Sequence, residues 1–252
     1  MRKVIMTALV GIAALSASAQ NIQIHYDLGS HLFPTNEGAR QDVTLTYEGF
    51  KADKLGSWFY FIDADFNKNG MTGAYTEISR EFNLAKVNDA SSLAAHAEIN
   101  AGLSNAAGIF QPCFLVGPAW NWHSTDFSKT FSLQLMYKQF TGQNCNISGG
   151  TDYGCGIKPY CSFQVTGVWG LNFGEGKWTF SGFCDFWRGL NSQNGHGCLV
   201  ILTEPQLWYN VSKSCAFGTE VEISNNFVYR SIAPWSNDKF FVNPTVAFKY
   251  TF

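Results

Sequence analysis

The stretch from Phe240 to Phe252 alternates with a period of two. Phe240, Val242, Pro244, Val246, Phe248, Tyr250 and Phe252 make one apolar, mostly aromatic face, and Asn243, Thr245, Ala247, Lys249 and Thr251 make a small or polar one, spoiled only by Phe241. Successive side chains of a strand point to opposite faces, so this is a two-faced strand. A free terminus usually frays, and a soluble protein seldom finishes on a greasy strand with no polar tail. The pattern predicts the closing strand of a transmembrane β-barrel, its apolar face turned to lipid. Phe248, Tyr250 and the final Phe252 then match a C-terminal signal for the barrel-assembly machinery.

The other end carries matching information. Met1-Arg2-Lys3 is basic, Val4 to Leu15 is apolar, and Ala17-Ser18-Ala19 is a small-x-small cleavage site. These are the three ordered parts of a secretory signal peptide, and the apolar run is too short to span a bilayer. Residues 1–19 are expected to be removed, leaving 20–252 as one outer-membrane domain. The residue directly after the cleavage site is Gln20 and not a cysteine, so a lipid anchor is not indicated.

Charged residues make up 14% of the chain and aromatics 16%, against about 25% charged in an ordinary soluble domain. A soluble surface so poor in charge would be sticky; a barrel whose outside faces lipid resolves the problem. The net charge of −2 gives no sign of a nucleic-acid polymer as partner. The seven cysteines, Cys113, Cys145, Cys155, Cys161, Cys184, Cys198 and Cys215, form no CxxC pair, so a zinc site is poorly supported. No cofactor is expected. Cys145 and Cys155 flank a Gly/Asn/Ser-rich stretch and are placed either to close it by a disulfide or to remain thiols. Cys113, Cys161 and Cys184 fall in strand-like runs and read as small apolar residues.

Turn-forming residues separate strand-like segments about every twenty residues. Strands are predicted at 22–33, 41–51, 57–66, 74–84, 92–103, 107–118, 130–140, 156–168, 177–188, 198–210, 214–229 and 239–252. The fold class is therefore all-β, an antiparallel up-and-down barrel of about twelve strands, an even number as bacterial barrels require. Links 52–56 and 172–176 suit short periplasmic turns; 67–73, 119–129, 141–155 and 189–197 suit outward loops. Several segments separate an apolar from a polar face, as a strand between lipid and lumen must. Val43, Leu45 and Tyr47 oppose Thr44, Thr46, Glu48 and Phe50; Trp58, Tyr60, Ile62 and Ala64 oppose Phe59, Phe61, Asp63 and Asp65. Trp58, Trp120, Trp122, Trp178, Trp187, Trp208 and Trp235 lie near predicted strand ends, where aromatic girdles form.

The lumen-facing acids by this parity are Glu48, Asp63, Asp65, Glu77, Glu98, Asp185, Glu204, Glu220 and Glu222, with Lys138, Lys158 and Lys249 as fewer bases and Phe50, Phe59 and Phe61 as inward aromatics. Aromatic faces stack on flat solutes at about 1–3 kcal/mol per base, and carboxylates accept hydrogen bonds from hydroxyl or amino groups. The bland alternative for each acid is a structural ion pair with Lys or Arg across the pore. Arg80 falls on the apolar side of its strand, at a rim or one residue out of register.

Thr44-Leu45-Thr46-Tyr47-Glu48-Gly49-Phe50, Trp58-Phe59-Tyr60-Phe61-Ile62-Asp63-Ala64-Asp65 and Glu77-Ile78 with Phe82 resemble the nucleoside-specific channel-forming porins, the Tsx-like family. The resemblance covers residues 41–84 best. It implies a monomeric twelve-stranded barrel with a narrow lumen for nucleosides, and Glu48, Phe50, Asp63 and Glu77 as lining or binding residues. The function expected is passive uptake of small, flat, neutral solutes across the outer membrane, with lipid as the other partner. A structural, adhesive or receptor barrel is the alternative, permitted by the long polar loops. A membrane-embedded lipid hydrolase is the third reading. It needs a nucleophile–base pair, for which His123-Ser124 is the adjacent candidate, and no GxSxG elbow is present.

Overall fold

A computed structural model of the chain describes residues 18–32, 41–104, 108–142, 158–190, 197–227 and 240–252. Its strands are β1 (Ser18–Asp27), β2 (Val43–Asp53), β3 (Gly56–Asn67), β4 (Gly70–Asn88), β5 (Ser91–Ser104), β6 (Gly108–His123), β7 (Lys129–Phe140), β8 (Tyr160–Phe173), β9 (Trp178–Leu190), β10 (Gly197–Thr203), β11 (Gln206–Asn210), β12 (Cys215–Asn225) and β13 (Phe240–Thr251). A single helical turn, α1 (Gly29–Leu32), follows β1, with the Asp27 carboxylate accepting from the Gly29 amide at 2.6 Å. Each strand pairs antiparallel with its neighbours, and β13 pairs with both β12 and β1. The sheet therefore closes and has no open edge, the condition for a sheet in hydrocarbon.

β10 and β11 are two halves of one strand. Thr203 lies opposite Cys184 and Gln206 opposite Ser181 on β9, while Thr203 faces Ile223 and Gln206 faces Glu220 on β12. The register runs through Glu204 and Pro205 without a slip on either side. Pro205 has no N–H to give to the ladder, which is enough to interrupt it. The barrel thus has the expected twelve strands.

One end of the barrel carries Ser18, Phe252 and the connections Asp53–Gly56, Asn88–Ser91, 124–128, 174–177 and 211–214. These are tight. The Asp53 carboxylate accepts from the amides of Leu55 and Gly56 at 2.8 and 3.1 Å, and Gly174 and Gly176 take left-handed φ values of 59° and 82°. We call this the turn end and the other the loop end. Two expected loops are corrected. Residues 67–73 are not a long loop: β3 runs to Asn67 and β4 starts at Gly70, so the link is a tight hairpin turn. Residues 119–129 are not an outward loop. β6 continues through Trp120 and Trp122 to His123, and the short link 124–128 sits at the turn end. The apolar run there is simply a longer strand.

The outer face is apolar. Ile22, Ile24, Leu45, Ile62, Ile78, Val116, Leu135, Val165, Phe217 and Val246 are exposed on it. Near the turn end Tyr47 packs on Tyr60 at 5.9 Å and on Phe252 at 6.4 Å, and Tyr250 on Phe252 at 6.2 Å, forming part of an aromatic girdle. Gly49 makes room for it, since a Cβ there would lie 2.3 Å from the Tyr60 ring. Arg80 is on this face beside the β2–β3 turn, so the rim alternative holds and the register is intact. Its guanidinium sits between Trp58 and Phe82 (5.1 and 4.9 Å) and bonds Asp53 at 2.8 Å. Trp58, Trp120 and Trp178 are exposed outward as expected. Trp187 and Trp208 are not girdle residues: both are buried inside the barrel. Trp235, Cys145, Cys155 and nearly all of the expected signal peptide lie outside the described residues.

Candidate solute lumen

The interior divides into three zones. Toward the turn end it is filled with buried polar side chains. Glu81 accepts from Asn121 Nδ2 at 2.8 Å and Gln134 Nε2 at 3.5 Å, and lies 3.4 Å from His96 Nδ1; the other ring nitrogen of His96 is 3.1 Å from Glu98. Gln23 donates to Asn21 at 2.8 Å and Asn21 donates to Glu48 at 2.9 Å. Four strands are stitched by the first set and two by the second. A buried polar group needs such partners to avoid a desolvation cost of about 1–3 kcal/mol.

Toward the loop end, the wall from β6 to β10 holds an apolar cluster inside, beside the buried polar Ser162, Gln164 and Thr166 of β8. Cys113, Leu115, Met136, Phe140, Trp187, Val200 and Leu202 form one buried cluster, with Tyr160, Phe183 and Cys198 packed on it. Lys138 points into the same region. Its ammonium lies 4.2 Å from the Trp187 ring and 5.1 Å from that of Phe140, and donates to Gln164 at 2.7 Å. Rings and an amide hold this charge.

The facing wall, β2 to β4, is built from acids and aromatics. Antiparallel partners share a face, so Thr44 opposite Asp65, Thr46 opposite Asp63, Glu48 opposite Phe61 and Phe50 opposite Phe59 all point inward. Thr46 donates to Asp63 at 2.5 Å, Thr44 to Asp65 at 2.7 Å and Tyr75 to Glu77 at 2.8 Å. The rings of Phe59, Phe61 and Tyr75 step along it at 6.2 and 6.0 Å. Phe59, Phe61, Asp63, Asp65 and Glu77 are half-buried and present surface to the lumen. Phe50 shares their face but is 7% exposed, so it packs toward the turn end instead of lining open space.

From the other side, Glu204, Glu220 and Glu222 project from the β10–β12 wall. Gln206 donates to Glu220 at 2.5 Å and Asn243 to Glu222 at 3.2 Å. The carboxylates of Asp63 and Glu77 act electrostatically on Glu204, and Asp63 on Glu220, although β3 and β11 lie nearly opposite in the ring. Asp185 joins the same zone, accepting from Thr166 at 2.5 Å and feeling Glu98 and Lys138. Among the described residues, none of Asp63, Glu77, Glu204 and Glu220 makes an ion pair with a lysine or arginine. Lys158 precedes β8 and is exposed, so it is not the inward base expected. Lys249 does face inward, stacked 3.9 Å from the Trp208 ring near Glu48 and Glu220.

The family model described as "Domain of unknown function (DUF5020)" matches residues 19–252. The chain belongs to this family. No curated protein matches it. Among solved structures the barrel is similar to the NanC porin, with a TM-score of 0.56 and 11% identity over 92% of this chain and 98% of that one. The KdgM porin, solved also in complex with disordered oligogalacturonate, gives 0.49 and 12% identity over 93% and 99%. At such identities the likeness is one of fold, the closed porin-like barrel.

In this DUF5020 barrel, sequence parity missed Glu81, His96, Trp187 and Trp208 as interior residues. The signal was present: Glu81 follows Glu77 by four, His96 precedes Glu98 by two, and Trp208 follows Glu204 by four. The hydrolase candidate is not arranged for nucleophilic attack. His123 is buried, stacked on Phe127 at 3.9 Å with Nδ1 2.9 Å from the Ser124 carbonyl, and the Ser124 hydroxyl donates to Asp126 at 2.7 Å. Ser124 caps a turn. Of the described cysteines, Cys113, Cys161, Cys184 and Cys215 are free thiols.

Proposed function

We propose that the chain is a passive channel of the bacterial outer membrane, through which small flat solutes cross along the β2–β4 wall. The observation that carries this reading is the half-buried row of Phe59, Phe61, Asp63, Asp65 and Glu77, where ring faces and carboxylates stand side by side in the lumen. Rings stack on planar solutes and carboxylates accept from their N–H and O–H groups. Nucleosides combine both features and lack the phosphate that these acids would repel. They are the first solutes to test, in line with the Tsx-like pattern of residues 41–84. Lipid contacts the outer belt, the signal peptide directs export, and the barrel acts as a monomer.

The experiment is uptake of radiolabelled adenosine into liposomes holding the purified barrel, compared with sucrose and with adenosine monophosphate. Adenosine entry well above the other two supports the reading; equal rates for all three remove the nucleoside preference, and no entry removes the channel. Phe248, Tyr250 and Phe252 serve assembly in this reading. Deleting Phe252 is expected to slow folding by the assembly machinery, followed by heat-modifiable gel migration, and to leave the uptake ratio unchanged.

A further inference from the structure

Mid-height in the lumen, Asp63 and Glu77 face Glu204, Glu220 and Glu222 from the opposite wall. Neutral groups donate to three of them, Thr46 to Asp63, Tyr75 to Glu77 and Gln206 to Glu220, and Asn243 donates to Glu222; the ammoniums of Lys138 and Lys249 act on Glu77 and Glu220, so the five carboxylates outnumber these two bases. A second observation points the same way. Asn243 is 0% exposed, and its side-chain carbonyl, on the same amide that donates to Glu222, has no hydrogen-bond partner. Asn100, opposite Glu77 on the inner face of β5, likewise has a buried, unpartnered Oδ1. Orphaned acceptors beside carboxylates call for donors, and the acids call for positive charge.

We propose that this zone is a subsite for a cationic, hydrogen-bond-donating group, an ammonium or guanidinium, so that the lumen selects organic cations over anions. It rests on the channel reading. An ammonium has three donors and a guanidinium five, and neither has an acceptor to clash with the carboxylates. The Phe61 and Tyr75 rings step along the same wall, so a planar cation gains ring contact as it meets the acids. Fixed charges of one sign in a low-dielectric passage raise the local concentration of the opposite ion.

The test is single-channel recording in a planar bilayer under a KCl gradient, with agmatine added as the organic cation. The reversal potential should show potassium preferred to chloride by roughly tenfold or more, and agmatine should block from the loop side. The triple variant Glu204→Gln, Glu220→Gln, Glu222→Gln should bring the preference close to parity and abolish the block. Asn243→Leu, which keeps every acid, should weaken the agmatine block and leave the potassium preference in place. If the triple variant fails to fold, Asp63→Asn is read instead and should lower both quantities. A wild-type channel that conducts but prefers chloride, or a block unchanged in the acid variants, overturns the proposal and leaves the channel standing. A barrel that inserts and never conducts overturns the channel itself.

Discussion

The two long walls of the lumen are made by the same alternation and treat their inward positions in opposite ways. From β6 to β10 the inward residues of the loop-end half are buried, an apolar cluster around Trp187 and Met136 with Lys138, Ser162 and Gln164 packed into the same wall. From β2 to β4 they are acids and rings left half-buried. The first wall fills space and fixes the barrel's cross-section. The second keeps surface and charge available. A barrel of twelve strands is wide enough that one side has to be filled if the passage is to be narrow, and packing one wall leaves the other free to recognise a solute.

The comparison breaks most visibly at Trp187. Trp187→Ala removes a buried ring from the cluster and the face under the Lys138 ammonium, and should cost about 3–5 kcal/mol of stability. The midpoint of urea unfolding in lipid vesicles should fall accordingly, while Phe61→Ala on the other wall should leave it almost unmoved. Equal losses would mean that both walls are packing. Next in size is Gly218→Val. Trp208 lies across from Gly218, and a Cβ there would come 2.6 Å from its ring. Overpacking of this kind costs about 1–3 kcal/mol and should also push Trp208 off Lys249, visible as a shift in tryptophan emission.

Much of this contrast was legible. Alternation gave the strand number, the inner face of β2 and β3, and Lys249 inside with Tyr250 outside, because a closed sheet between lipid and lumen ties every side chain to its parity. Trp187 and Trp208 were placed in the girdle because tryptophan at a strand end suggests an interface. Carrying the parity of Asp185 and Glu204 two and four residues further would have put both inside. What alternation does not carry is depth. Phe50 and Phe61 share a face and composition, yet only Phe61 keeps exposed surface, because burial depends on what arrives from the opposite wall. The meeting of Asp63 with Glu204 and Glu220 is of that kind, since nothing local in either strand encodes it. The turn-end position of 124–128 follows from counting strands, once β6 is allowed to reach His123.

The smallest effect lies in that turn. Hydrogen bonds from the Ser124 hydroxyl, then from the Ser128 amide and hydroxyl, lower the Asp126 pKa from an ordinary 3.8 to about 2. A folded value below the unfolded one stabilises the turn above the ordinary value, and this is lost as pH falls through about 2. Asp126→Asn should therefore remove a local protection of the 124–128 amides that the native turn shows at pH 5 and loses near pH 2. Hydrogen exchange reads it, and neither wall of the lumen should respond.

The division of labour between the walls is tested most directly by adenosine block of single-channel current in the native barrel, in Phe61→Ala and in Trp187→Phe. The native channel should show brief adenosine-dependent closures; Phe61→Ala should weaken that binding by about 1–3 kcal/mol, the worth of one stacked base, and Trp187→Phe should leave it unchanged. Block that survives in Phe61→Ala and disappears in Trp187→Phe would place recognition on the packed wall and contradict the account.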